Sequence, residues 1–302
     1  MDNLNDIKRH IKSIKQTLKI SMAQKTLAST QISRARKMLE DNKPFHQKIK
    51  QTMANILDDI DQTSRFYQSA PRGSNQGILI ITADRGLAGG YNQNVLNRLE
   101  NVLRGTTNIE YSNEQTVCPV PVPGQKPPKI LAVGHIGYMR LLHSCDNMDE
   151  DFFYEVEKPT LSVAGKIADK ILELFETGVV DYFDVIYTQY GSAVHMNAIT
   201  ARLLPLSEAD LPEPMLHFAE YEPSKTAVLE SLVPLYLKGY IFGCLINAWM
   251  CELNSRLTAM DAAIRNGDDM LDDMLLKFNR ARQGAITQEI TEIVASSLAL
   301  KA

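Results

Sequence analysis

The sequence predicts an α/β protein in which a long antiparallel coiled coil, made by the N- and C-terminal helices, carries an α/β domain inserted between its two halves. Two observations support this. At both ends of the chain the apolar residues step by three and four along one narrow seam. In the middle, short and wholly apolar runs of strand length alternate with helical patterns. The C-terminal seam reads Met250, Leu253, Leu257, Met260, Ile264, Gly267, Leu271, Met274, Phe278, Ala281 and Ala285. The N-terminal seam reads Leu4, Ile7, Ile11, Ile14, Leu18, Ser21, Lys25, Ala28, Ile32, Ala35 and Leu39, then Ile49, Met53, Ile56 and Ile60. Two seams at opposite ends of one chain can bury each other. Sixty helical residues at ~1.5 Å rise would make a rod about 90 Å long, which suits a spacing or mechanical role.

The first helix starts at Asp2 or Asn3, either of which can cap free N–H groups. Asn42-Lys43-Pro44 predicts a kink or short break, because Pro44 lacks the backbone donor and disfavours helix at Lys43. Ser21 and Lys25 are polar seam positions that loosen the pairing: either a tolerated fault, or a place where the rod meets something else.

Residues 70–75 read as a linker. Ile78 to Thr82 is a strand apolar enough to be buried on both faces of a parallel sheet. A glycine-rich turn follows, and Asn92 can cap a helix that ends at Gly105. Residues 106–128, rich in proline, read as an extended loop. Lys129 to Val133 is a second buried strand, followed by a short helix through Met139 and Leu142. Ser162 can cap a third helix, closed by Gly178. Phe183 to Tyr190 and Val194 to Leu204 are strands joined through Gly191-Ser192, so they should pair antiparallel at one edge. That order makes a three-layer, Rossmann-like α/β domain from about Gly77 to Pro205. Ser224 caps the returning helix, whose Pro234 permits a kinked continuation. The expected division is 1–69 coiled-coil helix, 70–210 Rossmann-like domain, 211–302 coiled-coil helix.

The net charge of −4 hides an asymmetry. Residues 1–50 carry twelve Lys/Arg against four Asp/Glu, leaving −12 for the remainder. Lys8, Arg9, Lys12, Lys15 and Lys19 lie off the seam and form a basic face, either solvated or docked on an acidic partner. Nucleic acid is the weaker reading, since no aromatic residue interleaves these cations before Phe45. No apolar run reaches the ~20 residues of a membrane span, and the charged first residues suggest no signal or transit peptide. Cys118, Cys145, Cys244 and Cys251 lie in no metal spacing and read as free thiols.

Thr82-Ala-Asp84-Arg85-Gly86-Leu-Ala-Gly89-Gly90-Tyr-Asn92 sits between a strand and a helix, where nucleotide-binding folds place a phosphate loop. It matches neither GxGxxG nor the P-loop, and a glycine turn for close strand–helix packing explains it without a ligand. The six histidines form no metal pattern, and no nucleophile sits in a recognisable elbow. No catalytic residue, metal or cofactor is expected.

Asp84-Arg-Gly-Leu-Ala-Gly-Gly-Tyr-Asn92 and Asn279-Arg-Ala-Arg-Gln-Gly-Ala-Ile-Thr-Gln-Glu-Ile-Thr-Glu-Ile-Val294 resemble motifs of the gamma subunit of F-type ATP synthases. Further matches are Ile7-Lys-Arg, Ile11-Lys-Ser-Ile-Lys, Leu203-Leu-Pro-Leu206, Tyr221-Glu-Pro-Ser224 and Ala259-Met-Asp-Ala-Ala263 with Asn266, so the likeness spans the chain. The resemblance implies a non-catalytic rotor shaft inside a hexameric alpha/beta head, with the α/β domain as a foot near the epsilon subunit and the membrane c-ring. It implies peripheral attachment to the cytoplasmic face of a bacterial membrane and coupling to proton or sodium transport. It also implies rotor-to-head contacts at Arg282, Gln283 and Thr287, and along the basic face at Lys8, Arg9 and Lys12. Lys19-Ile-Ser-Met-Ala-Gln24 and Ala28-Ser-Thr-Gln31 depart from the family pattern, which carries two more positive charges there, and the proline-rich insertion is unusual. The competing readings are a free-standing α/β enzyme or nucleotide-binding protein with a coiled-coil oligomerisation arm, and a coiled-coil tether or nucleic-acid-associated scaffold.

Overall fold

The computed structural model describes residues 4–57, 66–67, 75–104, 127–142, 145, 147–192, 195–206, 211–215 and 220–299. The expected loop over 106–128, except its last two residues, lies outside them, as do Cys118 and the N-terminal caps at Asp2 and Asn3. Helix α1 spans Leu4–Leu57 and α5 spans Lys225–Ala299. Between them lie β1 (Gln76–Ile81), α2 (Tyr91–Leu103), β2 (Lys129–Val133), α3 (His135–Leu142), β3 (Met148–Tyr154), α4 (Leu161–Glu176), β4 (Tyr182–Tyr190) and β5 (Met196–Leu204). The chain divides into two compact units, residues 1–29 with 256–302, and residues 30–255.

The first unit is a helix pair whose packing follows the predicted seam. Ile7, Leu18, Ser21 and Ala28 are buried on α1, while Met260 is buried and Leu257, Ile264, Gly267, Leu271, Met274, Phe278 and Ala281 are half-buried on α5. Lys25 meets Asp261, Leu18 meets Gly267, and the Lys8 ammonium lies 5.8 Å from the Phe278 ring centroid. Positions falling on one helix as they rise on the other make the pair antiparallel. Gly267 makes the approach close, since a Cβ there would lie 2.7 Å from Leu18 Cδ2 and the leucine would have to shift. The polar gap in the seam is closed across the helices: Lys25 Nζ lies 2.5 Å from Asp261, which also accepts from Arg265. Lys25's hydrogen bond and charge hold the Asp261 carboxyl below its usual range. The seam ends at Ala281. Ala285, expected to continue it, is exposed, as are Ile286, Ile290, Ile293 and Val294.

The second unit holds a five-stranded sheet in the order β3-β2-β1-β4-β5. β2, β1 and β4 pair parallel, β3 joins β2 in parallel, and β5 closes the edge antiparallel to β4. Ile78 to Ile81 are fully buried, as two-sided cover of a parallel sheet requires. Ile78, Ile80, Ile130 and Ala132 pack with Val95, Leu96 and Leu99 of α2 and Leu141 of α3. The amphipathic α4 buries Ile167, Ile171 and Phe175.

Several local expectations are corrected. No break occurs at Pro44, where α1 runs through its proline, while α5 continues through Pro234 as expected. Near Pro44, Asn42 Nδ2 donates to Gly239 O (3.2 Å). β3 was not expected: Asp149, Glu150 and Asp151 hide its apolar alternation, as suits an edge strand that resists further pairing. Helix α4 is capped by Thr160, whose hydroxyl accepts from Val163 N (3.2 Å), rather than by Ser162. Gly90, not Asn92, holds the N-cap position of α2. One stretch of α5 is apolar enough by composition to cross a membrane, contrary to the reading of that segment, and half of it is buried in the protein. Leu237, Ile241, Leu245, Ile246 and Trp249 are the core side of that helix. Cys244 and Cys251 are free and buried, whereas Cys145 is disulfide-bonded, so not every cysteine is a free thiol.

Candidate functional site

Two groups of residues carry the sequence motifs, and they lie in different units. The first is the turn after β1. There, Asp84 reaches across the carboxyl ends of the strands: Oδ1 accepts from His135 N (3.2 Å), and Oδ2 accepts from Val156 N (2.7 Å) and Glu157 N (2.6 Å). Those amides belong to the start of α3 and to the segment leaving β3, where a doubly wound fold often cradles an anion. Here the protein's own carboxylate fills that role. Arg85 extends the link with an ion pair to Glu157 (2.9 Å). Leu87 and Gly89 take positive φ values of 63° and 55°, which turn the chain back so that Gly90 can start α2. Gly86 has open space where a side chain would stand. Asn92 Oδ1 accepts from Ala83 N (2.8 Å), tying the first turn of α2 to the end of β1.

Thr82 completes this splice. Its hydroxyl donates to Val133 O (3.1 Å) and accepts from Gly137 N (2.9 Å). Gly134 (φ 93°) and Gly137 leave no room for a side chain against Thr82. The motif therefore joins three strand ends through a carboxylate, an amide and a hydroxyl.

Strand order reverses between β1 and β4, and ligands of open α/β sheets enter at such a switch point. In this protein α5 crosses it. Cys251 Sγ donates to Thr188 O (3.6 Å), and Asn247 Oδ1 accepts from Tyr190 N (3.4 Å). Tyr91, at the start of α2, packs in the same core with Cys251, and burial pushes its phenol pKa well above the usual value. Desolvation raises the Cys251 thiol to about 12. Sequence reasoning missed the buried polar residues here, Thr188 and Glu252, since an apolar-period scan gives no weight to polar residues on a core face.

The second group is on the helix pair. Arg282, Gln283 and Thr287 are all exposed on α5 beyond the seam; Thr287 Oγ1 donates to Gln283 O (2.9 Å) within its own helix. Lys8, Arg9, Lys12, Lys15 and Lys19 are exposed on α1, with Arg9 paired to Asp6 on the same helix. Neither group gathers the nucleophile, base and oxyanion donors that bond chemistry requires. Among the described residues no cluster of three His, Cys, Asp or Glu side chains is placed to hold a metal.

The family model described as ATP synthase matches residues 3–300. The ATP synthase gamma chain of Ruminiclostridium cellulolyticum is 34% identical over 99% of this chain and 99% of its own length. That of Acetivibrio thermocellus is 33% identical over the whole of both chains. A chain from the central stalk and c-ring structure of the Tetrahymena thermophila mitochondrial ATP synthase superposes with a TM-score of 0.58 at 19% identity, covering 81% of this chain and 99% of that one. A chain from the Euglena gracilis mitochondrial ATP synthase gives 0.53 at 18% identity, covering 90% and 95%. These two share the fold of the present protein. With a family match from residue 3 to residue 300, and relatives of one kind aligned from end to end, the chain belongs to the ATP synthase gamma-chain family.

Proposed function

We propose that this protein is the central rotor shaft of an F-type ATP synthase, coupling rotation of a membrane c-ring to catalysis in an alpha/beta head. The observation that carries the proposal is the antiparallel helix pair that outlasts its own seam, in a chain of this family. Over residues 282–297 α5 is exposed all round, and Ile286, Ile290, Ile293 and Val294 stand uncovered, a surface suited to a surrounding sleeve of protein. The chain itself is non-catalytic: it acts by pressing differently on each catalytic subunit as it turns. Arg282, Gln283 and Thr287 are the proposed contacts near the tip, and Lys8, Arg9 and Lys12 the proposed basic face toward acidic loops of the head. The Asp84 to Asn92 turn is proposed as a structural splice. The foot, within residues 70–210, faces the epsilon subunit and the c-ring, and the helical parts within 1–69 and 211–302 form the shaft. The assembled complex holds the chain at the cytoplasmic face of a bacterial membrane.

The free-standing nucleotide-binding alternative has no support at the turn after β1, where Asp84 occupies the amides a phosphate would need. The test is reconstitution. The purified chain alone is expected to hydrolyse no ATP, and its addition to alpha and beta subunits is expected to give a stable complex with steady ATPase activity. Hydrolysis by the chain alone, abolished by substitutions within residues 82–92, would contradict the proposal.

A further inference from the structure

At the switch point between β1 and β4, the crevice filled by α5 retains a small group of buried polar side chains. Tyr91 is 3% exposed, Thr188 4% and Glu252 5%, and they come from α2, β4 and α5 respectively. Neither the Tyr91 hydroxyl nor Thr188 Oγ1 has a hydrogen-bond partner among the described residues. Cys251 links them: it packs in one core with Tyr91, its Sγ lies 3.6 Å from Thr188 O, and Glu252 is the next residue of α5. The surroundings are apolar: Ile78, Ile80, Val95, Ile186 and Cys251 pack with Tyr91.

Leaving two hydroxyls dry in such a place is unfavourable, and buried polar groups are nearly always satisfied by protein or by ordered water. Nothing in the turn after β1 or the helix pair makes use of these atoms. We propose that the Tyr91 and Thr188 hydroxyls, together with the Glu252 carboxylate, bind a single internal water molecule, forming a polar strut that fastens α5 to the sheet at the switch point. The hydroxyls can each donate or accept and the carboxylate accepts, which gives the water the two to four partners it needs. The strut ties the first turn of α2 and the end of β4 to the long helix, so in a rotor it would stiffen the attachment of the foot to α5. Only that mechanical consequence rests on the proposed function.

The test uses the isolated full-length chain, so its outcome is independent of the rotor reading. Tyr91→Phe and Thr188→Val each remove one hydroxyl with little change of shape. Each is expected to lower the Tm by about 2 to 4 °C, and the double variant by little more than either alone, because both lose the same water. Oxygen-17 relaxation dispersion of solvent water counts long-lived internal waters, and the double variant should hold one fewer than the parent. A raised or unchanged Tm in either single variant would mean that the hydroxyl it removes lies dry, and would overturn the proposal. A lowered Tm with an unchanged water count would mean that the hydroxyls bond directly to protein, and would overturn it equally.

Discussion

Asp84 shows how one side chain can decide what a glycine-rich turn is for. In a nucleotide-binding fold the backbone amides at the strand ends wait for a phosphate; here a carboxylate already accepts from His135, Val156 and Glu157. Asp84→Asn keeps the shape but removes the charge that strengthens those three bonds, and turns one acceptor into a donor facing an amide. A loss of about 1.5 to 3 kcal/mol in unfolding free energy, measured by urea titration, is expected. His46 makes a second claim at this scale. Its ring lies 5.0 Å from Tyr236 and 5.5 Å from Tyr240, and burial, aided by the Lys50 charge, lowers its pKa from 6.5 to about 4. The folded protein therefore resists a proton that the unfolded chain accepts. The contribution of His46 is complete above about pH 6.5 and is lost as the pH falls toward 4. His46→Phe should flatten the dependence of stability on pH in that window, and an unchanged slope would assign it to other groups.

At the scale of elements, the seams could be read from sequence because one helix face needs one residue type at a fixed period. Each predicted seam position of the first unit from Ile7 to Ala28 and from Leu257 to Ala281 is buried or half-buried, including Lys25, whose polarity is met by Asp261. The central strands were legible for the same reason, as two-sided burial leaves continuous apolar runs. β3 was not, since an edge strand can carry acidic residues without cost. Ser224 caps α5 as expected, its Oγ accepting from Ala227 N (3.2 Å), but two caps failed because neighbouring polar residues compete for one role: Thr160 caps α4 in place of Ser162, and Asn92 is drawn to Ala83 N by tertiary packing. The motif after β1 was recognisable as a turn, but its three-way splice depends on amides more than fifty residues away, beyond the reach of any local pattern. Face assignment on α5 gives a paired prediction. Arg282→Ala with Gln283→Ala should leave the melting temperature of the isolated chain nearly unchanged, because both residues are exposed, while lowering catalysis or assembly of the reconstituted complex. Leu271→Asp, placing a charge in the half-buried seam, should destabilise the isolated chain by about 1 to 3 kcal/mol. The reverse pattern in thermal melts would mean that the faces are assigned the wrong way round.

For the whole molecule, the long helices and the inserted sheet serve different physical needs. An axle needs stiffness from a packed seam and an uneven surface to push with; a foot needs a rigid attachment to whatever drives it. The sequence supplies the first through α1 and α5, and the second through a sheet spliced at its strand ends by Thr82, Asp84 and Asn92 and crossed by α5 at Thr188 and Tyr190. Rotation is the property that follows most directly from this division. The decisive measurement fixes a reconstituted alpha/beta head to a surface, attaches a bead to the α/β domain of this chain and supplies ATP. The expected result is continuous unidirectional turning of the bead, at a rate that tracks hydrolysis. Sustained hydrolysis by the same complexes with a bead that only fluctuates in place would contradict the assignment of this chain as the rotor.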